Sequence, residues 1–465
     1  MRELIERTVE QAKRKGAQFA DLRIVEGSQT AVRVEDGRAD KISHSLVKGA
    51  GLRVLIDGAW GFASTNNISG DALKQCMDDA VSMAQAASSN VTERGVVAEV
   101  EPTEAQVSTS YQINPADVPL DDRVSTAFEF EKVAREQDPE RIVNSLVSYA
   151  DSAARMSMGN TFGSYIEYES VRSRIGVAVT TQEDNIRQQA ADYKANAAGY
   201  ELIKETDPDE FAGGVARRAL KLLRAAPPPA GKFEVIIDPK ICGLLVHEAF
   251  GHNCEADAVW AGNSIVAGKV GEQVAAPIIT IVDDPTLAGA NGSYQYDHEG
   301  VPAQRHVLVK DGILQGFLHN LETAARFGVK PNGSGRAGGY QFPPLVRMSN
   351  TFIEPGEASL DEMIADINHG LYLKGGRWGY VFTARGQFTC NVEEAYAIEN
   401  GQLGQHYRNV NISGMTLETL QAVTAVGDQM ELRNGGTCGK DGQGVPVDTG
   451  GPHLRIAELV VGGQQ

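Results

Sequence analysis

Apolar residues recur on one face of the opening segment MRELIERTVEQAKRKG, where Leu4, Ile5, Val9 and Ala12 stand at helical spacing and charged residues fill the rest. The pattern then changes to short alternating runs, FADLRIVEGSQTAVRVEDGRADKISHSLVKGAGLRVLIDGAWGFAST, broken by EG and DG dipeptides. That alternation predicts an antiparallel meander. A helix over 71–88 follows from Leu73, Met77, Ala80, Val81 and Ala84, which form an apolar stripe.

Residues 1–95 therefore read as one α+β unit. Residues 96–120 are polar and interrupted by Pro102, Pro115 and Pro119, so they read as a linker. A second α+β unit is expected over 121–229: a helix near 125–135, alternating strands from SLVSYADSAARM onward, and a closing helix that stops at the proline run 227–229. From 230 to 465, strand runs such as FEVIID, IITIVDD, RHVLVKDGIL and EAYAIENGQL dominate. The expected fold class is α+β, with two smaller antiparallel sheet-plus-helix units followed by a larger β-rich domain.

A length of 465 residues suits about three such units. The formal net charge of −18 argues against a nucleic-acid-binding surface or an anionic-membrane anchor. No apolar run has signal-peptide or membrane-span length, so a cytoplasmic location without membrane contact is expected. The five cysteines are widely spaced, odd in number and lack CxxC, which is poor material for a disulfide framework.

Chemistry concentrates in the third region. Asp238 suits a helix N-cap and Pro239 the first helical position, so FEVII should lead directly into a helix PKICGLLVHEAFGH. On it stand His247, Glu248 and His252, in the order H-E-x-x-x-H. In an α-helix two histidines four apart are separated by about 40° around the axis, but five apart by about 140°. Gly251 is the expected point of relief, since glycine lets the helix unwind and swing the second imidazole back. On this reading His247 and His252 bind a zinc-like ion and Glu248 takes a proton from the water it acidifies. A catalytic zinc needs a third protein ligand, and Cys254, Glu255, Asp257 and Cys438 are candidates. Cys438 lies in the glycine-rich NGGTCGKDGQGVP, where Lys440 would help keep a thiolate ionised. Cys242 and Cys390 fit buried apolar positions.

The runs VHEAFGHNCEADAV, DHEGVPAQRHVLVKDGILQGFLHN, PPLVRMSNTFIEPGE and GGTCGKDGQGVPVDTGGPHLRI, in that order, resemble the TldD/PmbA family of metalloproteases, in its metal-binding TldD branch. The N-terminal segments DLRIVEGSQTAVRVEDG and GAGLRVLIDGAWGFAST are similar to the family's first domain, so the resemblance spans nearly the whole chain. It implies one Zn2+ per chain held by His247, His252 and Cys438, with Glu248 as general base. It further implies unfolded or extended peptide substrates and a site enclosed in a dimer, either a homodimer or a heterodimer with a PmbA-like chain. Two other classes compete: a non-catalytic modulator with a structural, four-ligand metal, and a metal-dependent small-molecule amidase.

Weaker signals remain. Gly333, Gly335 and Gly338 spell GxGxxG, but no clear strand precedes them and Pro343-Pro344 follow, against a dinucleotide site. Asp297, His298, Glu299 and His319 read as satisfied polar groups rather than catalysts. Arg336 could grip a substrate carboxylate, though an exposed, solvated arginine is the expectation there.

Overall fold

The computed structural model describes residues 1–432 and 435–463. Helix α1 (Arg2–Arg14), strands β1 (Phe19–Glu35), β2 (Arg38–Ile56) and β3 (Ala59–Thr65), and helix α2 (Gly70–Ser88) follow in the expected order. Asp36-Gly37 and Asp57-Gly58 all take positive φ, between 49° and 79°, as two-residue hairpin turns that match strand twist require. The two helices bury Ile5, Val9, Leu73 and Met77 against Leu22, Leu52 and Val54.

Next come β4 (Glu104–Ser108), α3 (Leu120–Arg135), β5 (Ile142–Asn160), β6 (Tyr165–Glu183), β7 (Ile186–Asn196), α4 (Glu201–Lys204) and α5 (Gly214–Leu222). Their core is separate: Phe130, Tyr149, Val177, Val215 and Leu222 pack around Val32 and Val34. Each N-terminal unit thus keeps its own helices and core, but their strands merge into one sheet of order β3-β2-β1-β5-β6-β4, with β7 on β6. The join is β1 against β5, antiparallel from Asp21↔Asn160 to Glu35↔Leu146. Within the segment read as a linker, β4 adds to the edge of β6 in parallel. Ala105 and Val107 face inward and pack on a cluster around Met156 and Met158, while Glu104, Gln106 and Ser108 stay exposed.

The C-terminal region starts with β8 (Gly231–Ile237) and α6 (Pro239–Leu244). It continues through β9 (Ile281–Asp283), β10 (His306–Lys310), β11 (Ile313–Leu314), β12 (Gly335–Arg336), β13 (Leu345–Val346) and β14 (Asn350–Ile353). The last strands are β15 (His369–Phe382), β16 (Gln387–Glu399), β17 (Gln402–Met415), β18 (Val423–Val426), β19 (Glu431–Leu432), β20 (Gly436–Lys440), β21 (Gln443–Gly451) and β22 (Leu454–Gly463). One sheet runs β11-β10-β9-β14-β21-β19 with β20 on β21, and another runs β17-β16-β15-β8-β22-β18. Helix α6 and the turn after it lie in the apolar layer they share, where Ile241, Leu245 and Val246 meet Val235, Leu373, Ile353 and Val447. Among the described residues, no helix is long and apolar enough to cross a membrane.

A buried ion network ties the N-terminal sheet to this region. Arg53 on β2 donates Nε to Asp21 at 3.0 Å and Nη2 to Glu299 at 2.8 Å, and Glu299 also accepts the backbone N–H of Leu321 at 2.6 Å. Removing the arginine leaves buried carboxylates without their partner, so Arg53→Met is expected to destabilise the chain by about 3–5 kcal/mol, read from the midpoint of denaturant unfolding. An unchanged midpoint would show that the network contributes nothing.

Candidate metal centre

Asp238 caps α6 as its position suggests. One carboxylate oxygen accepts the N–H of Ile241 at 2.9 Å and the other that of Gly375 on β15 at 2.9 Å, which fixes the helix start to the sheet. Burial pushes this carboxyl up to about 6.

The α-helix ends at Leu244. Residues Leu245–Phe250 form a π turn and Gly251–Cys254 a 3-10 turn. In the π turn the N–H of Gly251 reaches Val246 O, five residues back, as well as His247 O. A five-residue hydrogen-bond repeat stacks residues five apart on one face, and so removes the roughly 140° mismatch of a straight helix. The rings of His247 and His252 accordingly lie 5.1 Å apart, centroid to centroid. The relief therefore sits ahead of Gly251, not at it: Gly251 has an ordinary helical φ of −58°, while Phe250 is the distorted residue at φ −116°. Glycine is needed at 251 for space, since a Cβ there would stand 2.1 Å from Met348 Sδ and 3.3 Å from Val246 O.

Cys438 arrives from the opposite side, on β20 opposite Val445 of β21. The hairpin turns on Asp441-Gly442, with φ of 49° and 74°. Arg347, fully buried, donates to Cys438 O at 2.5 Å and to Gln443 O at 3.3 Å, and so holds both strands near their turn. The ligand atoms of His247, His252 and Cys438 lie within 4.8 Å of one another, with Cys438 Sγ 3.5 Å from His252 Nε2. Burial raises the Cys438 thiol, but hydrogen bonds and charge from His247 and His252 outweigh it and bring it down to about 5. That favours the thiolate, the form that ligates a metal.

Lys440 does not serve the thiolate as expected. Its Nζ binds Asp257 at 2.7 Å, Glu255 at 3.2 Å and Val346 O at 3.0 Å. Nor does Glu255 join the ligand atoms: its carboxylate lies 2.9 Å from His252 Nδ1, where it fixes the ring so that Nε2 faces Cys438. Burial opposes ionisation of Glu255, yet His252 and Lys440 hold it down at about 2. Cys254 is buried in the apolar core, as are Cys242 and Cys390. Among the described residues the only cluster of metal-ligand type is His247, His252 and Cys438.

Two imidazoles and one thiolate fit zinc's preferred donors, and three protein ligands leave a fourth position open for chemistry. Among the described residues the buried Nδ1 of His247 has no hydrogen-bond partner, whereas Nδ1 of His252 is held by Glu255. Glu248 flanks the cluster, with Oε2 3.9 Å from His252 Nε2 and its side chain 29% exposed, open to an incoming molecule. Replacing Glu255 by glutamine is expected to weaken zinc binding about 10–100-fold, as loss of an orienting carboxylate usually does. Titration against a chelating dye checks this; unchanged affinity would mean Glu255 does not orient the ring.

The weaker signals resolve differently. His319 Nδ1 meets Thr323 at 3.3 Å, and Asp297 accepts backbone N–H groups from Glu299, Val301 and Gly335, so both are satisfied. Gly335 belongs to the ribbon β12–β13 rather than to a strand-to-helix turn. Arg336 departs from expectation: it is buried, donating to Met348 O and Pro446 O at 2.7 and 2.6 Å.

The chain matches the PmbA/TldA metallopeptidase domain 1 over residues 20–84, the central domain over 113–225 and the C-terminal domain over 230–463. It is 36% identical over 447 residues to a Methanothermobacter thermautotrophicus protein named metalloprotease, covering 96% of each chain. It is 26% identical to a Saccharolobus solfataricus zinc metalloprotease TldD homolog, covering 98% of this chain and 99% of that one. Among solved structures, a Thermotoga maritima chain named as a candidate modulator of a DNA gyrase superposes with TM-score 0.81 at 24% identity, over 99% of both chains. TldE from Thermococcus kodakarensis superposes with TM-score 0.77 at 19% identity, over 99% of this chain and 100% of that one. These two likenesses concern the fold.

Proposed function

Because this chain belongs to the PmbA/TldD metallopeptidase family, we propose that it is a zinc-dependent peptidase that hydrolyses unfolded or extended peptides. The observation that supports this most strongly is the convergence of His247, His252 and Cys438 ligand atoms within 4.8 Å beside a partly open Glu248. The three would hold the ion, which when bound supplies polarisation of the scissile carbonyl and acidifies a water molecule. Glu248 accepts the proton from that water and delivers it to the leaving amine nitrogen. Glu255, anchored by Lys440, keeps His252 aimed. No side-chain nucleophile takes part. The working assembly in this reading is a cytoplasmic dimer, of two copies or with a PmbA-like chain, in keeping with the fold shared with TldE.

The test is cleavage of an unfolded casein-like substrate and of a peptide series of increasing length. Activity that a chelator abolishes, zinc restores, and peptides of several residues support far better than single amino-acid amides is the expected outcome. Activity confined to the amides would replace the peptidase reading with a small-molecule amidase.

A further inference from the structure

At the seam between the N-terminal sheet and the C-terminal region lies a cavity of about 190 Å³. Its walls include Arg23 of β1, Arg172 of β6 and Arg336 of β12. Arg23 and Arg336 are 1% and 4% exposed. All hydrogen bonds of the three guanidinium groups among the described residues go to backbone carbonyls: Arg23 to Phe342, Arg172 to Asn291 and Ser293, Arg336 to Met348 and Pro446. The buried Nε of Arg23 has no hydrogen-bond partner among the described residues. Carbonyls orient guanidinium groups without neutralising them, and buried charges of one sign are costly unless something pairs with them.

Asp21 and Glu299 act on Arg23, and Asp283 on Arg336, only through space; among the described residues no carboxylate hydrogen-bonds any of the three guanidinium groups. Asp297, the one acidic residue in the wall, has both oxygens committed to backbone N–H groups, and burial with neighbouring Glu299 raises it well above the usual carboxylate range. His298 accepts the N–H of Ala337 on Nδ1 at 2.7 Å, which leaves Nε2 as a donor. The wall therefore presents several donors with no carboxylate bonded to them among the described residues, in a protein whose formal net charge is −18. Tyr168, Tyr294, Tyr296, Met156 and Val25 supply apolar surface beside them. A volume below the roughly 300–1,000 Å³ of drug-sized sites admits a carboxylate with one or two residues, not a nucleotide.

We propose that this cavity binds one carboxylate of a peptide, through Arg23, Arg172 and Arg336. That the bearer is a peptide rests on the peptidase reading; that the group is a carboxylate rests on the cavity itself. The placement suits a substrate anchor. Val445 and Pro446 form part of the wall, and Val445 is the cross-strand partner of Cys438, so the two lie about 5 Å apart, Cα to Cα. Arg336 also grips the backbone of Met348, whose sulfur packs against Gly251, between His247 and His252 in the chain. A peptide held here by its carboxylate would start next to the candidate metal ligands.

The test reads binding without turnover, so it survives failure of the peptidase reading. Zinc-loaded Glu248→Gln protein is titrated calorimetrically with three versions of one peptide: free C-terminus, C-terminal amide, and C-terminal amide with its Asp and Glu side chains also amidated. A charge-assisted contact of this kind predicts at least about tenfold weaker binding when the responsible carboxylate is removed. A loss at the first step assigns the pocket to the chain terminus, and a loss at the second to an acidic side chain. Arg172→Gln, the least buried of the three arginines, should erase that preference while the thermal midpoint stays close to the parent's. Equal affinity for all three peptides overturns the proposal. So does a preference that Arg172→Gln leaves intact, or peptide binding that acetate leaves unaffected and only inorganic phosphate displaces.

Discussion

Glu248→Gln is expected to lower kcat for peptide cleavage about 10²–10⁴-fold, the usual worth of a positioned general base, while one zinc per chain is retained. Glutamine keeps the shape of the side chain and its place beside the cluster, but it cannot take a proton. Glu248 is not among the three clustered ligands, and its partial exposure makes the exchange structurally mild. Metal content by elemental analysis alongside cleavage rates separates the two roles. Loss of zinc together with activity would make Glu248 a ligand, and full activity with zinc retained would leave the reaction without its proton acceptor.

Cys438→Ala should remove zinc and cleavage together. Cys438 brings the sulfur from β20 to a cluster whose histidines stand on two successive turns, and the sulfur lies 3.5 Å from His252 Nε2. Two imidazoles alone do not make a catalytic zinc site, so affinity is expected to fall further than the 10–100-fold of a lost orienting carboxylate. The fold should survive, because Arg347 holds the hairpin through the carbonyls of Cys438 and Gln443 and not through the sulfur. Circular dichroism checks that point. A variant that keeps stoichiometric zinc and full activity would exclude Cys438 from the site.

Much of the fold was legible because local chemistry determines it. The DG dipeptides of the N-terminal meander become positive-φ turns, and Asp238-Pro239 starts α6 where a capping residue and a proline at the first turn require it. What escaped the sequence depends on distant partners. The β1–β5 pairing joins strands more than a hundred residues apart, and β4 is an edge strand only because Met156 and Met158 offer its two apolar residues a surface. The five-residue spacing of the histidines signalled a distortion, but the π turn that resolves it carries no residue mark, and Gly251 drew attention for the wrong reason: it is a matter of space against Met348. Lys440 and Arg336 depart from their sequence pattern for the same reason. A basic residue in a glycine-rich stretch reads as solvated or as a partner for the nearest thiol. Only the tertiary contacts give Lys440 to Glu255 and Asp257, and bury Arg336 between two carbonyls. Arg347 offered no signal at all.

The most direct test of the central claim, a three-ligand site built for catalysis, is X-ray absorption at the zinc edge of the metal-loaded protein. Two nitrogen scatterers at about 2.0–2.1 Å, one sulfur at about 2.3 Å and one light atom from outside the chain are predicted. A first shell without sulfur, or one filled by four protein donors, would contradict it and leave the metal a structural one.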